Sequence, residues 1–402
     1  MLTRRDFGAL AATALVNCGG TSAPESVDEP ASEGDVLSRS IVFDAHCDTP
    51  GRMLTDGIKL GEHKSYHQVD ITRMRQGGIT AAFFAVFASA GSNTPLESVK
   101  KGLEISDLIV QEVLRYPDDL VFATTSDEIL QAKLDGKIAI LLSLEGGHMI
   151  DSSLGVLREF RRLGVRSFGL THSSHTPWAS SAEKPGGPDG LTDLGHEIVR
   201  ESNRLGIILD LAHASDETFF DTIKTTKAPI ISSHTCCRGV ANQPRNMSDE
   251  MLKALAENGG VLDIGYYNGM IVENYATPLP DLTDLNERRK KIAEQFADDR
   301  DKRLEEMWKV NKEEADRMGR PSFDQLLDHF EHAATVAGVD HVGFGSDLDA
   351  ARHLYPAEVD DIAETANLVP GLRGRGFTDE DISKILGGNN LRVLQAAERI
   401  AA

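Results

Sequence analysis

The chain has 402 residues, of which 40% are hydrophobic and 26% charged, and its 63 acidic against 42 basic side chains give a formal net charge of −21. This is a globular composition with enough length for one extensive core, since α/β barrels reach about 250 residues or more as a single unit. So acidic a chain repels phosphate backbones, which excludes nucleic acid as a partner and leaves no electrostatic reason to lie on an anionic membrane.

At the amino terminus, Arg4 and Arg5 precede an apolar run from Phe7 to Val16 that is too short to cross a bilayer as a helix. The arrangement resembles a twin-arginine export signal. It closes on Leu15-Val16-Asn17-Cys18, which is similar to a bacterial lipoprotein cleavage box with Cys18 as the lipidated residue, although Asn17 replaces the small residue normal there. Residues 1–18 are therefore expected to direct export, ending in a lipid anchor on Cys18 or in release to the periplasm. Residues 19–38, rich in Ser, Pro, Glu and Ala, read as a flexible tether ahead of a folded domain over residues 39–402. The remaining cysteines, Cys47, Cys236 and Cys237, show no zinc-finger or redox spacing, and adjacent Cys236 and Cys237 are poor disulfide partners.

Eight short apolar runs follow, each suited to a buried parallel strand: Ile41 to Asp48, Ile79 to Ala88, Lys137 to Leu144, Val165 to Leu170, Gly206 to Ala212, Ala228 to Ser233, Gly260 to Tyr266 and His341 to Gly345. Helical patterns lie between them, among them Ser98 to Tyr116, Ser152 to Leu163, Asp193 to Leu205 and Ser248 to Asn258. This alternation predicts the α/β class and a (β/α)8 TIM-type barrel of the amidohydrolase-like kind, with its functional side chains at the carboxyl ends of the strands. One stretch, Asp281 to Gly319, is dense in charge at helical spacing and falls after the seventh predicted strand. It reads as a solvated helical excursion held by i,i+4 ion pairs. A lid or an oligomer contact is the alternative, because an insertion there emerges on the active face.

The strand ends carry the chemistry. His46 and Asp48, two apart, project from one side of the first strand's end. Glu145 ends the third, His213 follows the fifth and His234 the sixth. Neutral imidazoles with carboxylates suit zinc. Five such residues exceed one catalytic zinc but fit two ions if Glu145 bridges them, with His46 and Asp48 on one and His213 and His234 on the other. Open positions then take a hydroxide between the ions. Any one of these histidines alone is more ordinarily a core or turn residue. His63, His67, His148, His175 and His196 are read as structural.

The segments F-D-A-H-C-D, S-L-E-G-G-H, L-T-H-S-S-H-T-P-W, L-D-L-A-H-A-S, I-S-S-H-T-C-C-R, P-R-N-M-S-D-E, V-G-F-G-S-D-L-D and G-G-N-N-L-R-V-L resemble the membrane dipeptidase family of zinc peptidases in order and spacing, from about Ile41 to Ala397. Two departures are the long charged excursion and Ala350, where the family favours glycine. The resemblance implies the same five ligands with Glu145 bridging. It adds His172 at the substrate carbonyl, Arg245 at the substrate's terminal carboxylate and Asp347 as the acid/base. Each role has a chemical case: a positioned carboxylate moves protons, an imidazole donates to a developing oxyanion, and a guanidinium fork matches a carboxylate. Each also has a plain alternative, as a turn-capping aspartate, a loop histidine or a surface arginine.

The resemblance further implies dipeptide substrates, tolerance of a D-residue at their second position, and a homodimer as a common assembly. Two other readings stay open. A related barrel hydrolase, an amide deacylase or phosphotriesterase, usually bridges its metals with a carboxylated lysine where this chain has Glu145. A non-catalytic binding lipoprotein would be favoured by loss of Asp347 or of a ligand, and neither is lost.

Overall fold

Apolar runs alternating with amphipathic helices satisfy their backbone by pairing with one another in parallel. In the structure, a computed structural model that describes residues 33–273, 280–350 and 353–401, they do so as β1 (Phe43–Cys47), β2 (Ala81–Phe87), β3 (Leu120–Phe122), β4 (Ile138–Glu145), β5 (Val165–Gly169), β6 (Ile208–Asp210), β7 (Ile231–Thr235), β8 (Val261–Gly265) and β9 (Val342–Gly345). The strands pair in parallel in the order β1-β2-β4-β5-β6-β7-β8-β9. A parallel bridge between Cys47 and Leu348 brings the two ends of that order together. There Asp347 N–H donates to His46 O and Asp48 N–H to Leu348 O, both at 3.0 Å. The result is the expected eight-stranded α/β barrel, nearly closed.

The sequence reading overlooked β3. Three residues are too few to stand out as an apolar run, and β3 lies off the barrel circuit. It pairs with β4 along Ile138 to Ile140, whereas β5 takes over further along, at Leu142 to Leu144.

Helices begin and end where local chemistry allows. Thr94 and Glu97 cap each other's backbone at the start of helix Pro95–Arg115, which buries Ile105, Ile109 and Val113 at four-residue spacing. Helix Asp193–Leu205 starts on the Thr192 hydroxyl and stops at Gly206, whose φ of 63° a side chain would oppose. Between them the helices bring each chain segment back to the amino end of the next strand, so every strand points its carboxyl end to one face.

The folded domain begins earlier than expected. Residues 33–38, read as part of the tether, belong to helix Glu33–Arg39, and Val36 within it is fully buried. One apolar side chain with a place in the core outweighs the polar composition around it. The export signal, Cys18 and the tether up to residue 32 lie outside the described residues. The charged stretch after β8 forms two helices, Thr283–Gln295 and Arg300–Met318. They run antiparallel, as the pairs Asp284–Arg317 and Arg288–Glu313 require.

Candidate metal centre

Barrel closure brings side chains from four strands to one point. His46 lies within β1 and Asp48 just past it, Glu145 is the last residue of β4, His213 follows β6, and His234 lies within β7. Glu145 sits between the others. Its Oε2 is 3.6 Å from His46 Nε2, which in turn is 3.7 Å from Asp48 Oδ1. Its Oε1 is 3.2 Å from His213 Nε2 and 3.7 Å from His234 Nε2. Ligand-type atoms of Glu145, His213 and His234 all fall within 4.8 Å of one another, as do those of His46, Asp48 and Asp347.

The tautomers follow from what lies behind each ring. His213 Nδ1 is 2.6 Å from Glu183 Oε1, a carboxylate that can only accept, so Nδ1 carries the proton. His234 Nδ1 is 2.8 Å from the Ser233 hydroxyl, which donates its own hydrogen to Asp210 Oδ2 at 2.5 Å and therefore accepts from the ring. Both Nε2 atoms are thus left with bare lone pairs, 3.0 Å apart and facing the Glu145 carboxylate. Three acceptors gathered this closely need a cation among them. On the other side, His46 Nε2 and Glu145 Oε2 are buried and have no hydrogen-bond partner among the described residues. Burial opposes a charge on His46, yet Glu145 and Asp48 outweigh it and lift its pKa to about 10. The acidic half of the site demands positive charge. Burial, with the charges of His46 and Arg245 beside it, drives His234 well below its ordinary value, which keeps that ring a neutral donor. Imidazoles and carboxylates with orphaned inward-facing atoms, in a pocket that demands positive charge, fit a borderline divalent metal such as zinc.

A cavity of about 580 Å³ opens over this centre, and Asp347, His172 and Arg245 line it. Asp347 sits just past β9 in the left-handed region, φ 56°, with its carbonyl accepting from the Tyr355 hydroxyl at 2.6 Å. Burial lifts its carboxyl to about 6. His172 lies between Phe87 and His213, its ring 4.5 and 4.2 Å from theirs, and burial lowers it to about 4, so it is a neutral imidazole. Arg245 reaches back across β7, donating to Thr235 Oγ1 at 2.7 Å and to His234 O at 3.1 Å. The histidines read as structural do not line the cavity. His148, for example, is bound to Ala88 O at 2.5 Å, and His196 to Thr225 Oγ1 at 2.7 Å.

The chain matches the model of the membrane dipeptidase family, peptidase family M19, over residues 31–402. This protein belongs to the membrane dipeptidase family. It is 31% identical over 387 residues to an uncharacterised dipeptidase of Schizosaccharomyces pombe, covering 91% of this chain and 83% of that one. Among solved structures, the fold is that of the probable dipeptidase PvdM of Pseudomonas aeruginosa (TM-score 0.77, 21% identity, 92% of this chain and 98% of that one). It is also that of a metallopeptidase of Rhodobacter sphaeroides liganded with a phosphinate mimic of L-Ala-D-Ala (TM-score 0.72, 22% identity, 89% and 99%). As a family member the chain is a hydrolase, a metal-dependent dipeptidase, which decides against the binding-lipoprotein reading.

Further residues of this dipeptidase meet the site without a signal in the sequence reading above. Glu183 comes from the long connection after β5 and is 3.6 Å from Arg245 Nε as well as bound to His213. No local pattern marks it. Asp44 and Asp210 were legible in principle, since each is an acid inside an apolar run a few residues before a site histidine. Glu314, from the second excursion helix, reaches the cavity wall, and only the three-dimensional path of that helix reveals it.

Proposed function

We propose that this dipeptidase holds two zinc ions, one between His46 and Asp48 and one between His213 and His234, with Glu145 bridging. The observation that carries the reading is the division of Glu145, whose Oε2 faces His46 while its Oε1 faces His213 and His234. Bound there, zinc supplies Lewis acidity for the peptide carbonyl and lowers the pKa of water. The chain's own residues do the rest. Arg245 takes the substrate's terminal carboxylate in its guanidinium fork and so fixes one end of a dipeptide. His172, neutral, donates an N–H toward the carbonyl oxygen as charge develops on it. Asp347, lifted to about 6 by burial, accepts the proton of the attacking water and returns it to the leaving amine nitrogen.

The substrates are dipeptides with a free terminal carboxylate, including those with a D-residue second, the stereochemistry of the mimic bound by the Rhodobacter relative. Elemental analysis of the purified protein, with turnover of a dipeptide, its amide and the matching tripeptide, tests the reading. Two metals per chain and a strong preference for the dipeptide are expected. One tight metal, or equal turnover of the three, refutes it.

We propose further that Arg4 and Arg5 send the precursor through the twin-arginine route to the periplasm or, through lipidated Cys18, to the membrane surface. Replacing both arginines with lysine strands the precursor in the cytoplasm if this is right, and leaves export unimpaired if it is not.

A further inference from the structure

Two buried aspartates repeat one hydrogen-bond pattern beneath the metal centre. Asp44 Oδ1 accepts from the backbone N–H of His46, two residues on, at 3.1 Å and from that of Ser346 at 2.8 Å, while its Oδ2 accepts from the Ser346 hydroxyl at 2.6 Å. Asp210 Oδ1 accepts from the backbone N–H of Ala212, two residues on, and from that of Ser233, both at 3.0 Å, while its Oδ2 accepts from the Ser233 hydroxyl at 2.5 Å. The two acids are 0% and 3% exposed.

Both patterns sit where the backbone ladder fails. Pairing of β1 with β2 shifts register between Asp44 and Cys47, pairing of β7 with β8 shifts between Ser232 and Thr235, and β6 meets β7 in register only at Asp210 and Ile231. Each carboxylate therefore supplies acceptors that a regular strand pair would have provided. Each also joins two chain segments that both deliver a site residue. Asp44 links His46 to Ser346, which directly precedes Asp347, and Asp210 links the segment ending at His213 to Ser233, which directly precedes His234. A third buried aspartate, Asp263 of β8, lacks the pattern. It meets Asn390 at 2.7 Å and leaves Oδ2 without a partner among the described residues, and β8 contributes none of the proposed ligands or catalytic residues.

We infer that Asp44 with Ser346 and Asp210 with Ser233 are positioning residues that set the two halves of the site independently. The first pair holds Asp347 beside His46, and the second holds His213 and His234 at the spacing one ion requires. The inference rests on the ligand and acid assignments proposed above.

Ser233→Ala removes the hydroxyl's bonds to Asp210 and to the His234 ring, and Ser346→Ala removes those to Asp44, His46 O and the Leu348 N–H, while both variants keep the backbone bonds to the aspartate. Cysteine variants, close in size but poor donors, replace any alanine variant that does not fold. Metal affinity is read by chelator competition, and kcat and KM on a dipeptide at saturating metal. Ser233→Ala should weaken metal binding about 10- to 100-fold, the usual effect of losing a partner behind a metal-ligating histidine. Ser346→Ala should leave metal affinity within about threefold and lower kcat about tenfold, with KM little changed. His234→Ala and Asp347→Asn serve as controls. If His234→Ala loses metal while Ser233→Ala does not, or Asp347→Asn is slow while Ser346→Ala is not, the inference is overturned. Equal losses in both readouts for both serine variants overturn the independence. Unchanged metal binding in His234→Ala would instead overturn the ligand assignment beneath it.

Discussion

At the mouth of the barrel Glu145 is 4% exposed and shared among histidines from three strands, whereas on the excursion helices Arg317 and its partner Asp284 are 34% and 55% exposed. Both regions are dense in charge. In the first, the His213 and His234 rings are held from behind by Glu183 and Ser233, and removal of a partner leaves buried polar atoms facing each other. In the second, the charges pair at i,i+3 and i,i+4, as Lys302 does with Glu305 and Glu306, and water stands ready to replace any partner lost. Charge density by itself therefore says little about function. What distinguishes the two regions is whether solvent can take over when a partner goes.

That contrast predicts a ranked series of effects. Glu145→Gln should be the most severe, since one carboxylate serves both halves of the centre. Metal content should fall in both sites and kcat by about 10³ or more, the equivalent of several kcal/mol of transition-state stabilisation. Elemental analysis of this variant showing one site still filled would mean that Glu145 does not bridge. Asp347→Asn comes next. It should retain the metals and the melting temperature while kcat falls by about 10² to 10⁴, the usual worth of positioned proton transfer. Near wild-type kcat would make Asp347 a turn residue after all.

Arg245 should rank third. Its charge-assisted contact with a substrate carboxylate contributes roughly 1.5 to 3 kcal/mol, so amidating the dipeptide should cost about tenfold or more in kcat/KM. Arg245→Lys, which keeps the charge but loses the fork, should fall between wild type on the free acid and wild type on the amide. Steady-state kinetics on the matched pair gives the answer, and a variant that no longer distinguishes acid from amide would place the lysine's charge out of reach.

The barrel and its centre were readable in the sequence to different depths. The strands announced themselves as apolar runs, and the candidate ligands as His, Asp or Glu at their ends, because a parallel barrel forces distant strand ends together. Boundaries were less sharp: His234, expected past the end of its strand, lies within β7. The groups behind the ligands were harder to read. Asp44 and Asp210 sit in apolar runs as plain exceptions to hydrophobicity, but which serine each would meet depends on register shifts that a sequence does not display. Glu183 depends on the path of the long connection after β5. Helix Glu33–Arg39 was hidden by its polar neighbours, since a single buried Val36 leaves almost no periodicity.

The smallest effects fall on the excursion, where the boundary between the two regions runs through one helix. Glu314 lines the cavity and pairs with Arg289, the two side chains being 15% and 13% exposed. Arg317, one turn on, forms its pairs with Asp284 and Glu313 in open solvent. Glu314→Ala takes the carboxylate from a largely buried guanidinium that retains Asn286 and Asn311 as its partners at 3.1 and 3.0 Å. Amide oxygens keep a bond on each terminal nitrogen but do not balance the charge, so a loss of about 1 to 3 kcal/mol and a melting temperature lower by a few degrees are expected. Arg317→Ala removes more ion pairs but strands nothing, because water solvates Asp284 and Glu313 keeps its pair with Arg288, and its melting temperature should stay within about 2 °C of wild type with kcat/KM unchanged. Scanning calorimetry on the two variants decides between burial and the number of ion pairs as the controlling variable. If Arg317→Ala proves the more destabilising, the excursion is held by its surface network and the contrast with the barrel mouth fails.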